Sequence, residues 1–317
     1  MMLLSKAVFE VILFHVDQKY QIVSRSSDIT RLINGLHREE ILAIGIMDTG
    51  TREDLESAVS WFAKNYNHGI HVITQSDRMA QDNYEDRFPD VTFIVFDVSP
   101  SLAERINALA NTCGTTYFLV TRSDTELVAF DFNAMRTMMQ SEEHPAVLTP
   151  LVFNKSKELI PTVRAPHMEK NQIEPLSFMP STGTDSNLYP FLGLGLYDRA
   201  LFQRLRGYDE SINGSYWQAL DLGTRCWLYG YPIYSVNLMA ILFYSKQFLI
   251  EDRSESDGCD RFYTKALAVR MVKGRAVVKK AYRTNKRVLV SEVRPRAGLY
   301  RTDFATLCAR WNIPSDK

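Results

Sequence analysis

The chain has 317 residues, 45% hydrophobic and 23% charged, with 37 Lys and Arg balanced by 37 Asp and Glu. That length and apolar content suffice for a sizeable core, and a formal net charge of zero excludes a global field steering the protein to nucleic acid or membrane. Four widely spaced cysteines, Cys113, Cys226, Cys259 and Cys308, form no C-x-x-C pair, which argues against structural zinc and a disulfide framework and makes a reducing, cytoplasmic compartment the default.

In chain order, residues 9–15 read as a nearly continuous apolar strand, after an N-terminus whose Lys6 and Glu10 argue against a signal peptide. A helix follows from Ser27 or Asp28 to Leu36. Residues 41–47 form a second apolar strand ending in Asp48-Thr49-Gly50-Thr51, and a helix over 52–65 presents Leu55, Val59 and Phe62 on one face. Residues 70–74 and 91–97 are further strands, a helix runs from Pro100-Ser101 to Asn111, and 117–121 is a fifth strand. Strands alternating with helices predict β-α-β units and a mainly parallel sheet, with ligands outside the carboxyl ends of the strands. The loops beginning at His15, Asp48, Asp97 and Arg122 are therefore the places to look for chemistry. Residues 153–190, punctuated by Pro161, Pro166, Pro175, Pro180 and Pro190, read as loop-rich.

Beyond this loop, Gly193 and Gly195 sit in a strand-like run. A helix over 199–205 is stopped by Gly207, and Tyr208-Asp209-Glu210 opens a loop. A second helix starts near Gln218, with Asp221 and Arg225 at an i, i+4 spacing, and ends at Gly230-Tyr231-Pro232 before a strand over 233–236. Residues 236–250 are too short and too polar a run to span a bilayer. From Arg261 to Arg301 thirteen Lys or Arg face one acid, Glu292, and 262–282 reads as one helix with Leu267, Met271 and Val278 among its apolar positions.

The Gly193/Gly195 strand, the Gly207-Tyr208-Asp209-Glu210 turn, Asp221-Leu222, Arg225 and Gly230-Tyr231 together resemble the acceptor half of glycosyltransferase family 2, nucleotide-sugar transferases of GT-A fold. The resemblance extends over most of residues 9–250. It implies an α/β fold with a mainly parallel central sheet flanked by helices. Residues 1–255 would form that domain, with a nucleotide-binding half (1–127) and an acceptor half (128–255), and 256–317 a basic helical extension. Gln218 and Ala219 stand where the family carries the Glu-Asp pair whose Asp is the catalytic base.

On the donor side, the resemblance places Asp17, at the end of the first strand, and Asp48 against the nucleotide. Asp48 would accept from a ring N–H of the base, since a carboxylate only accepts; alternatively, Asp48 and Thr51 cap the helix that follows. Arg105 aligns with the family's arginine, Ile106 takes the place of its asparagine, and Asn107 falls one position late. At the fifth strand's end, Arg122-Ser123-Asp124 overlies the Asp-x-Asp that holds Mg²⁺ or Mn²⁺ on the donor diphosphate. Asp124 falls on the last, metal-binding Asp and Arg122 replaces the first; a second register pairs Asp124 with Glu126. Arg122 either meets phosphate itself, as a bidentate partner, or pairs with Asp124 as a solvated loop ion pair. No histidine stands in residues 242–246 to complete a metal shell, and Lys246 is positioned to face the diphosphate instead.

On the acceptor side, an inverting transferase needs a carboxylate to take the proton of the attacking hydroxyl, which neither Ala219 nor Gln218 supplies. The candidates are Asp221, about 200° further round the helix, and Asp209 or Glu210 in the turn. Tyr216 and Trp217 stack on a sugar ring or belong to the core. Two functions remain open. One is sugar transfer from a nucleoside diphosphate donor to a glycan, lipid-linked or protein acceptor. The other is a catalytically silent domain that binds a sugar nucleotide, a glycan or a protein. The basic C-terminal stretch suggests peripheral contact with an anionic membrane face, or else a solvated surface. No nucleic-acid motif accompanies it, so nucleic acid is not an expected partner.

Overall fold

The computed structural model describes residues 19–24, 41–281 and 283–311. The strand expected over 9–15, the helix expected before Leu36 and the donor residue Asp17 lie outside the described residues.

Among the described residues, ten strands form one sheet: β1 (Tyr20–Val23), β2 (Leu42–Met47), β3 (Gly69–Gln75), β4 (Val91–Phe96), β5 (Tyr117–Arg122), β6 (Thr125–Phe130), β7 (Val147–Phe153), β8 (Thr184–Ser186), β9 (Gly195–Asp198) and β10 (Ile233–Phe243). Their spatial order is β1-β4-β3-β2-β5-β9-β7-β10-β8, with β6 also paired to β10. The strands β4, β3, β2 and β5 run parallel, as do β7 and β10. The short β9 is inserted antiparallel between β5 and β7, with Gly195 opposite Val120 and Asp198 opposite Tyr117. This inversion brings Gly193 and Gly195 to the edge at which β2 and β5 end.

Helices α1 (Arg52–Asn65), α2 (Leu102–Thr112), α3 (Phe132–Met139), α4 (Arg199–Arg204), α5 (Ser215–Leu228), α6 (Cys259–Leu267) and α7 (Phe304–Arg310) cover the two faces. Strand β2 shows why both faces are needed: all six residues of Leu-Ala-Ile-Gly-Ile-Met are buried. Leu42, Ile44 and Ile46 pack with Leu55, Val59 and Phe62 of α1 and with Met135 and Met139 of α3. Ala43 and Met47 turn to the opposite cluster, formed with Ile106 and Leu109 of α2 and with α5. The alternation is the period-2 geometry of a strand. Capping boxes begin α1 (Thr51 with Asp54) and α2 (Ser101 with Glu104). Thr51 therefore caps α1 as one reading expected, whereas Asp48 does not share that role.

Two expectations change. The stretch 153–190 contains β8 and two small ladders, Val163–Ala165 with Leu176–Phe178 and Met168–Glu169 with Gln172–Ile173. Segments of two or three residues are too short for a periodic signal. The single helix expected over 262–282 is instead α6 followed by a hairpin, Val269–Val272 with Arg275–Val278. Its two-residue turn has positive φ at both positions, 49° at Lys273 and 74° at Gly274, the type I′ geometry that suits a right-twisted hairpin. The apolar spacing fits either period, and the turn decided.

The C-terminal residues join the main core: Phe262, Val269, Val288, Tyr300 and Phe304 share one apolar cluster with α5. A buried charge network fastens them. Lys265 of α6, 5% exposed, forms ion pairs with both Asp221 of α5 and Asp209 at 2.6 Å. Arg225 pairs with Asp221 at 2.8 Å, and Arg261 joins Asp209 (2.9 Å) to Glu292 (2.7 Å). Among the described residues, no helix is long and apolar enough to cross a membrane.

Removing one partner of a buried pair leaves an uncompensated charge, so Lys265→Ala should lower unfolding free energy by about 3–5 kcal/mol in a urea titration. Burial acts to raise the Asp209 carboxyl, but Lys265 and Arg261 hold it well below the usual carboxylate range. A depressed folded pKa means that this stabilisation is complete above about pH 4 and fades as pH falls further. Lys265→Ala should flatten the acid limb of the stability curve; an unchanged limb would separate Asp209 from the acid response.

Candidate functional site

The carboxyl ends of β2 and β5 lie side by side, with Met47 opposite Arg122. The loops that leave them are stitched together. Ser123, fully buried, donates its N–H to the Met47 carbonyl at 3.0 Å, and its Oγ accepts from the N–H groups of Thr49 (3.0 Å) and Gly50 (2.9 Å). Thr49 Oγ1 donates to Asp124 Oδ1 at 2.9 Å. One hydroxyl thus satisfies two backbone donors that an apolar residue would leave unpaired.

The Asp48 side chain is 3% exposed at this seam. Its Oδ2 accepts from Thr74 Oγ1 at 2.7 Å and its Oδ1 from Arg78 Nη2 at 2.9 Å. Arg78 also reaches the Gly50 carbonyl, and Arg105 Nη1 donates to the Asp48 carbonyl at 3.1 Å. Burial raises the Asp48 carboxyl above its ordinary value, opposed by Thr74 and the two arginines. Arg78 and Thr74 went unnoticed in the sequence. They lie at and just beyond the end of β3, and the rule that directs attention to strand carboxyl ends covers that loop as well.

Asp124 carries four bonds. Arg122 grips it with Nε (2.8 Å) and Nη2 (2.9 Å), Thr49 donates to Oδ1, and Lys246 Nζ lies 2.9 Å from Oδ2. The pair is not a solvated one: the Asp124 side chain is 4% exposed and that of Arg122 12%. Behind both cations stands the ring of Phe243, its centroid 5.5 Å from the Arg122 guanidinium and 5.6 Å from Lys246 Nζ. Burial pushes the Asp124 carboxyl up, but Arg122 and Lys246 outweigh it and hold the group well below the usual carboxylate range.

This arrangement does not fit a divalent cation. Mg²⁺ or Mn²⁺ needs free carboxylate oxygens, and both oxygens of Asp124 are taken by protein donors. Among the described residues no group of three or more His, Cys, Asp or Glu is placed to hold a metal ion. Glu126, the second acid of the alternative register, lies within β6 opposite Leu242.

The residues expected on the acceptor side are built into the frame. Gln218, 1% exposed, accepts from the Ala103 N–H at 3.0 Å and donates to the Ile212 carbonyl at 2.7 Å, tying α5 to the start of α2. Trp217 donates to the Ser254 carbonyl and packs with Tyr216, Phe262 and Tyr263, so both aromatics are core rather than a stacking platform. The Gly193 carbonyl accepts from Tyr197, and a Cβ on Gly193 would strike Ile106 of α2. Asn107, one place late in the sequence, clamps the Tyr208-Asp209-Glu210 turn through the backbone N–H and carbonyl of Tyr208 and the Glu210 carboxylate. Of the three candidate bases, Asp221 and Asp209 are joined to Lys265, Arg225 and Arg261, none of which belongs to the seam, and Glu210 accepts from Lys19 and Asn107.

A run of parallel strands, an inverted strand at the glycine pair and the carboxyl edge between them form a GT-A fold, the fold of glycosyltransferases. The comparison with solved structures agrees. GalNAc-T7, crystallised with UDP, GalNAc and Mn²⁺, superposes with a TM-score of 0.63 at 11% identity, over 86% of this chain and 57% of its own. The chain thus spans little more than half the length of that protein. TarS of S. aureus gives 0.45 at 12% identity, over 71% of this chain and 42% of its own. No protein-family model and no curated protein sequence matches the chain.

Ser123→Ala would strand the N–H groups of Thr49 and Gly50 in a buried seam. Removing such a partner costs about 1–3 kcal/mol, which a shift in the urea midpoint should report; a shift within error would show that the two loops are held by other contacts.

Proposed function

We propose that the protein is a glycosyltransferase-like domain that binds a nucleoside diphosphate sugar at the seam between β2 and β5. The observation that carries this reading is the Asp48–Arg78 pair, an acceptor and a donor side by side at the carboxyl edge of a GT-A sheet. A pyrimidine edge such as that of uracil presents an N–H next to a carbonyl oxygen, the complement of this pair. Arg105, Arg122, Ser123 and Asp124 then frame the phosphates, and the glycine pair at 193–195 marks the side from which an acceptor approaches. The complex of GalNAc-T7 with UDP and GalNAc supports a sugar nucleotide as the ligand class.

The geometry favours binding over base-assisted transfer. Gln218 and Ala219 supply no carboxylate, and the ion pairs of Asp221 and Asp209 support a structural role for both. Where transfer to a glycan, lipid-linked or protein acceptor occurs, it draws its base from elsewhere. The membrane contact proposed for the C-terminal region falls to the hairpin, where Arg270, Lys273, Arg275, Lys279 and Lys280 are all exposed beside Val272 and Val277.

Titration calorimetry with UDP, GDP and their sugars should give saturable binding by at least one nucleotide, weakened about tenfold or more by Arg78→Ala through loss of a charged hydrogen bond. The bound sugar nucleotide should stay intact on prolonged incubation. Release of free sugar, followed by chromatography, would restore the transferase reading, and absence of binding to every nucleotide would remove both.

A further inference from the structure

The seam departs from a metal-assisted site in a consistent direction. Where two acids and a divalent ion would balance, the side chains gathered at the seam comprise four cations (Arg78, Arg122 and Lys246 on the carboxylates, Arg105 on the Asp48 backbone carbonyl) and two carboxylates (Asp48, Asp124). The two cations at the Asp124 end are fixed rather than free. Asp124 holds Arg122 through two nitrogens and Lys246 through one, and Phe243, fully buried, backs them both. Arg122 has five N–H donors and an ammonium three. The bonds to Asp124 therefore leave Nη1 of Arg122 and two N–H groups of Lys246 for another acceptor. Lys246 is also the more open of the two, 40% exposed against 12%. An anion arriving over β5 and β10 meets a preorganised pair of donors whose carboxylate tether lies beneath them.

We infer that Arg122 and Lys246, locked side by side by Asp124, hold the diphosphate of the donor directly, so that nucleotide binding needs no divalent cation. The inference rests on the sugar-nucleotide reading above and assigns Asp124 a positioning role in place of metal ligation. Preorganised guanidinium and ammonium groups give phosphate oxygens the charge-assisted hydrogen bonds that a metal ion would otherwise supply. Lys246 is the specific element: its loop follows β10, and its chain neighbour Tyr244 donates its N–H to the Asp124 carbonyl, which fixes the loop against the seam.

Calorimetric titration of the full chain with UDP and with inorganic pyrophosphate, in EDTA and in MnCl₂, tests this. The dissociation constants should agree within about twofold between the two buffers, and MnCl₂ alone should give no heat of binding. Lys246→Ala should weaken both ligands about 10- to 100-fold, the loss of one charged hydrogen bond, while Lys246→Arg retains most of the affinity. Arg122 still pairs with Asp124 when Lys246 is truncated, so both variants should remain folded with a cooperative urea transition, and Lys246→Arg should keep the wild-type midpoint. Binding of UDP that vanishes in EDTA and returns with Mn²⁺, or a Lys246→Ala affinity equal to wild type, would overturn the inference and leave the sugar-nucleotide reading intact. Binding of neither UDP, GDP nor pyrophosphate in either buffer would overturn both.

Discussion

Asp124 has no oxygen lone pair to offer. Thr49, both arms of the Arg122 fork and Lys246 occupy it, and the ends of β2, β5 and β10 are held in register around that one carboxylate. A carboxylate at the edge of a GT-A sheet faces a choice set by charge: it collects a metal ion, or it collects the protein's own cations. With an arginine two residues before it and a lysine on the neighbouring loop, the second outcome is reached on folding. Burial then strengthens it, because a desolvated carboxylate without partners is costly and one with two cations is not.

Helix α5 shows the same logic in uncharged form. A glutamate at position 218 could accept from the Ala103 N–H but could not donate to the Ile212 carbonyl, since an ionised carboxylate only accepts. The amide of Gln218 does both. Gln218 is thus a brace between α2 and α5. The remaining acids of that helix and its turn, Asp221 and Asp209, are joined through Lys265 to the C-terminal segment. Asp124 and Gln218, at the two positions the sequence resemblance singles out, are thus both engaged in internal contacts, one ionic and one hydrogen-bonded.

Much of the frame was legible beforehand. Residues 41–47 and 117–121 are apolar runs bounded by polar turns, and such runs become buried central strands whatever surrounds them. The Gly207 stop and the Asp221–Arg225 spacing placed α4 and α5 because both are local signals. Legibility failed where two periods competed or where the partner was distant in sequence. The valines of 269–278 satisfy a helix and a strand alike, and only the backbone at Lys273-Gly274 separates them. Arg78 finds Asp48 across thirty residues, Lys246 finds Asp124 across more than a hundred, and no spacing along the chain announces either.

The sequence alone determined the alternation of strands and helices, the run of parallel strands between residues 42 and 122 and the identity of the residues at its carboxyl edge, because hydrophobic period and turn chemistry act over a few residues. Only the tertiary structure decided what those edge residues do. Whether Asp124 meets a metal or a lysine, whether Gln218 faces a ligand or a backbone carbonyl, and whether Asp221 stands free or buried against Lys265 depend on which distant group folding delivers within about 3 Å, the range at which hydrogen bonds and close ion pairs act.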